Sequence, residues 1–312
     1  MLKDALNALD LGTVSDLRRL SGGASQETWA FKAGERALIL RRKPEGLTGS
    51  GSAIGLAKEA ALIQAAAKQG APVPPVVHVC QPEDGLGEAY VMERVEGETL
   101  GRRIVRDDAF AAVRPTLARH CGEVLARIHA TPLDGLPELP VSDAASELEK
   151  YEAIYRGVGD RRPIFEAAFR WLKDRAPKLD KPVLVHGDFR NGNLMIHPET
   201  GLAAVLDWEL AHLGDPAEDL GWICVNSWRF GGGKPVGGFG DYEDLLAGHG
   251  GDTPLERVLY WQTLGSLKWG VMCLIMYTAY ATGADASVER AMIGRRTSET
   301  EIDLIALLER AA

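Results

Sequence analysis

Three apolar runs between residues 183 and 209, each ending in polar residues, constrain this chain more than any other feature. The stretch "VHGDFRNGNLMI" (185–196) places His186, Gly187 and Asp188 at the end of one run and Asn193 at the start of the next. A short turn-rich piece leads to "AVLDWE" (204–209), where Asp207 closes the third. Asn193 follows Asp188 by five residues, and Asp207 follows it by nineteen. The spacing is arranged around something charged.

Phosphoryl transfer from a nucleotide needs such a set. The negative oxygens are held by Mg²⁺ and backbone N–H groups while a hydroxyl is oriented toward the γ-phosphate, and Mg²⁺ takes hard oxygen ligands. Asp207 and Asn193 suit the metal, Asp188 is placed to accept a hydroxyl proton, and Gly187 permits the turn that presents it. An aspartate with an asparagine five residues on, followed by a second metal-binding aspartate, is the arrangement of the protein-kinase catalytic loop.

The rest of the chain fits an enzyme of two parts. Residues 1–19 read as a helix or a helix with a short link. Around the turn "AGER", "ETWAF" and "ALILRR" alternate as the two strands of a hairpin. "LTGSGSAIG" reads as a mobile loop, "LAKEAALIQAAAKQG" as a helix ended by Gly70, and two further strands follow up to Glu93. Beyond Gly97 helices dominate, at 113–130, 146–155 and 163–175. The expectation is an α+β, two-lobed fold: a β-rich N-lobe over residues 1–96 and a mainly helical C-lobe over 97–312. The apolar segment 260–280 is interrupted by Gln262 and Lys268 and reads as a buried helix, not a membrane span.

Bulk properties exclude other classes. Net charge is −9, which gives a nucleic-acid role no electrostatic support. Cys80, Cys121, Cys224 and Cys273 form no paired motif, so a zinc site or disulfide framework is not expected, and with no leader-like N-terminus the expected location is the cytoplasm.

Taken together, "HGDFRNGN", "LDWE" and "GDPAEDLGW" resemble the aminoglycoside phosphotransferase and choline kinase-like family, and most of all its branch found fused to acyl-CoA dehydrogenases. The resemblance covers most of the chain. It implies a protein-kinase-like fold, Mg²⁺ as cofactor, ATP (or GTP) as co-substrate, and a small-molecule hydroxyl as acceptor, such as that of a hydroxylated acyl metabolite. It marks "SGGASQETWAF" as the nucleotide loop, with Ser21, Gly22, Gly23 and Ser25, and "YVMERVEGETL" as the hinge, where the backbone of Glu93 and Val95 would receive the purine. It implies that Asp215 and Asp219 brace the catalytic loop or cap the next helix, while His186 holds the loop by hydrogen bonds. Arg190 is placed either to balance phosphate charge or to form a surface ion pair.

One departure matters. The family's strand lysine, paired with a helix glutamate, is replaced in "LILRRKP". Arg41 with Glu59 is the natural pair, and arginine keeps the charge and can grip phosphate with two donors. Arg42 and Lys43 remain alternatives if the strand register shifts. A nucleotide-binding pseudokinase without turnover is the competing reading. Of the aromatics Trp222, Trp228, Phe230, Tyr260, Trp261, Trp269 and Tyr277, most belong to the core and a few near the glycine-rich stretch would wall the acceptor pocket; His129 reads as a core histidine, and the stretch 231–240 reads as a mobile lid or a surface connection.

Overall fold

The computed structural model describes residues 2–20, 26–43 and 54–310. The N-terminal part comprises α1 (Leu2–Ala8), β1 (Val14–Arg19), β2 (Glu27–Ala33), β3 (Arg36–Arg42), α2 (Leu56–Lys68), β4 (Val76–Val79) and β5 (Ala89–Glu93). Its strands form one antiparallel sheet in the order β1-β2-β3-β5-β4. The β2–β3 hairpin runs in register from Glu27↔Arg42 to Ala33↔Arg36, closed by a two-residue turn.

Successive side chains of a strand point to opposite faces, and β3 shows the consequence. Leu38 and Leu40 pack with Leu6, Phe31 and Val91 on one side. Ile39 packs on the other with Ala30, Met92 and the α2 residues Ala60 and Ile63. Arg41 therefore falls on the α2 side, whereas Lys43 lies past the end of the strand and is exposed.

One expectation is corrected here. The helix at the N-terminus stops at Ala8, and Val14–Arg19 is an edge strand paired with β2. Its register breaks between Ser15 and Arg18, where Asp16 adopts a φ of 53°. A polar, irregular edge strand carries little alternation, so only its partner reveals it.

The C-terminal part comprises α3 (Gly101–Arg106), α4 (Leu117–His129), α5 (Ala144–Val158), α6 (Pro163–Arg175), β6 (Val183–Val185), β7 (Leu194–His197), β8 (Gly201–Val205), β9 (His212–Gly214), α7 (Pro216–Trp222), α8 (Tyr242–His249), α9 (Leu255–Ala281), α10 (Val288–Gly294) and α11 (Thr297–Arg310). Helix α5 begins earlier than its apolar pattern suggests because Asp143 caps it reciprocally with Ser146. Helix α9 is the core element of this part, and Trp261, Leu264, Leu267 and Val271 pack against α5 and α6. Its last turns are not buried as the apolar pattern suggests: Ile275, Tyr277 and Tyr280 are exposed. Among the described residues no helix is long and apolar enough to cross a membrane.

Two small antiparallel pairs sit between the helices, β6 with β9 and β7 with β8. The segment 186–193 links β6 to β7, and Asp207 follows β8, so these pairs deliver both stretches to one place.

Candidate active site

The 186–193 segment is held from behind by α7. Asp219 is fully buried, and its carboxylate accepts the backbone N–H groups of His186 (2.8 Å) and Gly187 (3.0 Å) and a hydrogen bond from His129 Nε2 (3.1 Å). Burial works against an ionised Asp219, but the His129 hydrogen bond and charge, aided by His186, hold it below the ordinary carboxylate range. Asp215 caps α7 through Ala217 N–H (2.9 Å) and also accepts from Arg257 Nε (2.7 Å) and Trp261 Nε1 (3.0 Å).

His186 takes one tautomer. The backbone N–H of Asp188 donates to its Nδ1 (3.2 Å), so the ring proton sits on Nε2 and faces Leu206 O (3.1 Å). Burial pushes its pKa down, which keeps the ring neutral. Gly187 has a φ of 79°, and a Cβ there would lie 2.4 Å from Leu210 O. Only glycine makes this turn.

These bonds present Asp188. Its Oδ1 accepts from Trp222 Nε1 (2.7 Å) and Arg190 Nε (2.9 Å), and its Oδ2 accepts from Asn193 Nδ2 (2.6 Å). The same Asn193 nitrogen reaches Asp188 O at 3.0 Å. A carboxylate must be met by N–H, so the Asn193 amide oxygen points elsewhere. Arg190 also lies over the Trp228 ring, 4.5 Å from its centroid.

Asp207 has a φ of 67°, an unusual backbone for aspartate that recurs where side chains are aimed at a function. Its Oδ1 accepts from Arg41 Nη2 at 3.1 Å. Arg41 in turn pairs with Glu59 Oε1 (3.3 Å) and donates from Nε to Gln26 Oε1 (3.0 Å). Gln26 passes the chain on to Glu209 Oε2 (3.2 Å), and Tyr90 hydroxyl donates to Glu59 (2.8 Å). Burial alone would disfavour the Arg41 charge, but Glu59, and after it Tyr90 and Asp207, raise its pKa above the ordinary value. The register question is thus decided by geometry: Arg41 joins the cluster, while Arg42 pairs with Glu27 (2.6 Å).

Of the candidates, the fold brings Asp188, Asn193, His186, Arg190, Asp219, Asp207, Arg41 and Glu59 into one connected set. Glu93 and Val95 stand apart from it at the end of β5. The Glu93 carboxylate pairs with Arg36 (3.2 Å), and its N–H donates to Pro75 O. Ser21, Gly22, Gly23 and Ser25 lie outside the described residues, as does most of "LTGSGSAIG".

Asp188 and Asp207 line one cavity of about 760 Å³. Tyr151, Trp222, Trp228 and Trp269 give it an aromatic wall, and Lys150 and Lys268 stand there beside the acidic Glu147 and Glu209. Lys268, read from sequence only as an interruption of an apolar helix, sits over the Trp222 ring (5.3 Å) and faces Glu147 Oε2 (3.4 Å). Burial opposes its charge, yet Tyr151, Glu147 and Glu218 hold its pKa above the ordinary value. Nearby, His212 pairs with Glu218 (3.1 Å). Burial lowers its pKa, but the Glu218 charge and hydrogen bond lift it to about 9. No sequence spacing links these groups; α5, α7 and α9 bring them together.

The lid expectation is corrected for residues 236–240, whereas Gly231, Gly233 and Lys234 are exposed. In the glycine-rich stretch, Val236–Gly240 is buried, and Gly237 O accepts from the fully buried Asn191 (2.8 Å) while its N–H donates to Ile223 O (3.0 Å). A Cβ on Gly238 (φ 83°) would lie 2.2 Å from Arg229 O. These glycines serve close packing beneath the 186–193 segment, not motion.

Elsewhere among the described residues, His78, Cys80 and Asp84 gather their ligand atoms within 4.8 Å. The His78–Asp84 ion pair (2.7 Å) and the cap that Asp84 makes to Gln81 N–H account for that cluster.

Comparison with known proteins agrees with this geometry. The signature of the phosphotransferase enzyme family (APH) matches residues 16–244. The chain belongs to that family. This phosphotransferase-family chain is 32% identical over 236 residues to acyl-CoA dehydrogenase family member 10 of Mus musculus, covering 72% of this chain and 21% of the mouse protein. It is 31% identical over 217 residues to family member 11 of Gallus gallus, covering 66% and 27%. It therefore spans only about a fifth to a quarter of the relatives it matches. Among solved structures, a Ralstonia eutropha protein grouped with the aminoglycoside phosphotransferases superposes with a TM-score of 0.77 at 21% identity, covering 98% of both chains. The fold is the two-lobed, kinase-like α+β fold of that structure.

Proposed function

We propose that this chain transfers the γ-phosphoryl group of a nucleotide, with Mg²⁺, to a hydroxyl of a small molecule. The observation that carries this reading is the meeting of Asp188 and Asp207 at one cavity, with Arg41 and Glu59 joined to Asp207. Residues 1–96 hold the nucleotide and 97–312 carry the reacting groups and the acceptor pocket.

The donor set suits Mg²⁺. Asp207 offers a carboxylate and Asn193 an amide oxygen, both hard ligands, while the Asn193 nitrogen is committed to Asp188. Held by Asp207 and Asn193, such an ion would supply positive charge to offset the negative charge of the phosphates. Arg41, steadied by Glu59, grips the phosphates in place of the usual lysine. The backbone of Glu93 and Val95 receives the purine, and Ser21, Gly22, Gly23 and Ser25 lie along the phosphates. Asp188 orients the acceptor hydroxyl and takes its proton as the new O–P bond forms and the bond from the γ-phosphorus to the bridging oxygen breaks. ATP is the default donor. Spectinomycin phosphotransferase, solved with ADP and spectinomycin, shares the fold (TM-score 0.65) and supports a nucleotide donor and a small-molecule acceptor.

Thermal unfolding with Mg²⁺ alone, Mg²⁺ plus ATP, and Mg²⁺ plus GTP tests the site. Nucleotide at a hundred times its Kd stabilises by about 2.7 kcal/mol, a shift of several degrees. The expected result is a shift that requires Mg²⁺ and fades in Asp207→Ala. No shift with either nucleotide overturns the reading.

A further inference from the structure

Helix α7 carries a second clamp on the 186–193 segment besides Asp219. Asp219 and Trp222 are three residues apart, so they share one face of the helix. Asp219 holds the segment's backbone, and Trp222 Nε1 holds the Asp188 side chain at 2.7 Å. We infer that Trp222 is the positioning residue of Asp188, fixing the carboxylate so that Oδ2, not Oδ1, receives the proton of the acceptor hydroxyl. The inference rests on the reading of Asp188 as the proton acceptor.

The count of lone pairs makes the argument. A carboxylate oxygen offers about two acceptor sites. Those of Oδ1 are taken by Trp222 Nε1 and Arg190 Nε, whereas Oδ2 accepts only Asn193 Nδ2 among the described residues. One site remains, on Oδ2. The two donors to Oδ1 are not equivalent. Arg190 reaches it on a flexible stem with a quarter of its side chain exposed. Trp222 is 6% exposed, its ring set between the Trp228 ring (centroids 5.3 Å apart) and the Lys268 ammonium. An indole N–H donates, never accepts and does not ionise. It therefore holds a base without competing for the proton, which a hydroxyl, carboxyl or imidazole at that place would do.

The experiment uses the full chain with Mg²⁺·ATP and water as the acceptor, so it does not wait on the acceptor's identity. Trp222→Phe keeps an aromatic ring and deletes the donor. The expected result is a fall in kcat on the order of 10–100-fold with the nucleotide KM unchanged. An unchanged kcat overturns the inference. Because Trp222→Phe can also lose stability, a second measurement stands apart from turnover. The seven tryptophans give seven indole N–H correlations by NMR. The one missing in Trp222→Phe should be displaced in Asp188→Asn; an unmoved resonance means there is no such hydrogen bond. Absence of nucleotide turnover and of nucleotide binding in the wild type instead overturns the reading of Asp188, and the inference with it.

Discussion

The Asp188 segment and the Arg41 cluster meet at one cleft through Asp207, yet they are held by different means. Around Asp188 the bonds stay within the C-terminal part and join a carboxylate to backbone N–H groups, with a neutral histidine between. Around Arg41 the bonds join charges and cross the whole chain: Arg41 to Asp207 spans 166 positions and Gln26 to Glu209 spans 183. The first arrangement is fixed whenever the C-terminal part is folded. The second exists only when the sheet and the C-terminal part are brought together. Damage to the first should therefore appear as lost chemistry or lost stability, and damage to the second as weaker nucleotide binding.

The largest effect expected is on turnover. Asp188→Asn preserves the shape of the segment and should reduce phosphotransfer by about 10²–10⁴-fold while nucleotide-induced stabilisation persists. Loss of nucleotide binding in this variant would erase the distinction between the two clusters.

Next comes stability. Asp219→Ala strands the N–H groups of His186 and Gly187 and the ring of His129 in the core, and urea unfolding should show a loss of about 3–5 kcal/mol. Glu59→Gln keeps an acceptor for Tyr90 and should cost clearly less. Equal losses would mean that both clusters are structural in the same sense.

The Arg41 side is sharpened by Arg41→Lys. Charge is kept, but the two-donor grip and the Gln26 contact are weakened, so nucleotide affinity should fall a few-fold, and more in Arg41→Met. A gain in affinity or turnover with lysine would show that arginine is a handicap here, as a pseudokinase would carry.

The smallest effect is electrostatic and lies on the Asp188 side. His212 has a folded-state pKa of about 9 against an ordinary 6.5, so its pairing with Glu218 stabilises the folded chain fully below pH 6.5. That contribution declines as pH rises and is lost through pH 9. The difference in Tm between wild type and His212→Gln should be a few degrees at pH 6 and should vanish above pH 9. A difference that is flat with pH would leave the pair no electrostatic share.

How much was legible in advance follows the same division. Spacing alone picked out Asp188, Asn193 and Asp207, because the runs before them are short, buried strands whose ends emerge together. The hairpin and α2 were legible from alternation and from Gly70. The edge strand β1 was not, since a polar strand has no buried face to pattern. The glycine-rich stretch was legible only in part: glycine permits motion and close packing alike, and the bond from Asn191 to Gly237 marks its buried second half as packed. Trp222 was visible only as one aromatic among several.

The sequence by itself determined the α+β fold through local periodicity, and the family through the resemblance of its "HGDFRNGN", "LDWE" and "GDPAEDLGW" motifs, because both are written within short stretches of chain. Tertiary structure alone decided that Arg41 and not Lys43 meets Glu59, that Trp222 holds Asp188, and that Lys268 and Glu147 line the same cavity as Asp188. Those contacts join residues far apart in the chain, and packing brings them within reach of one another.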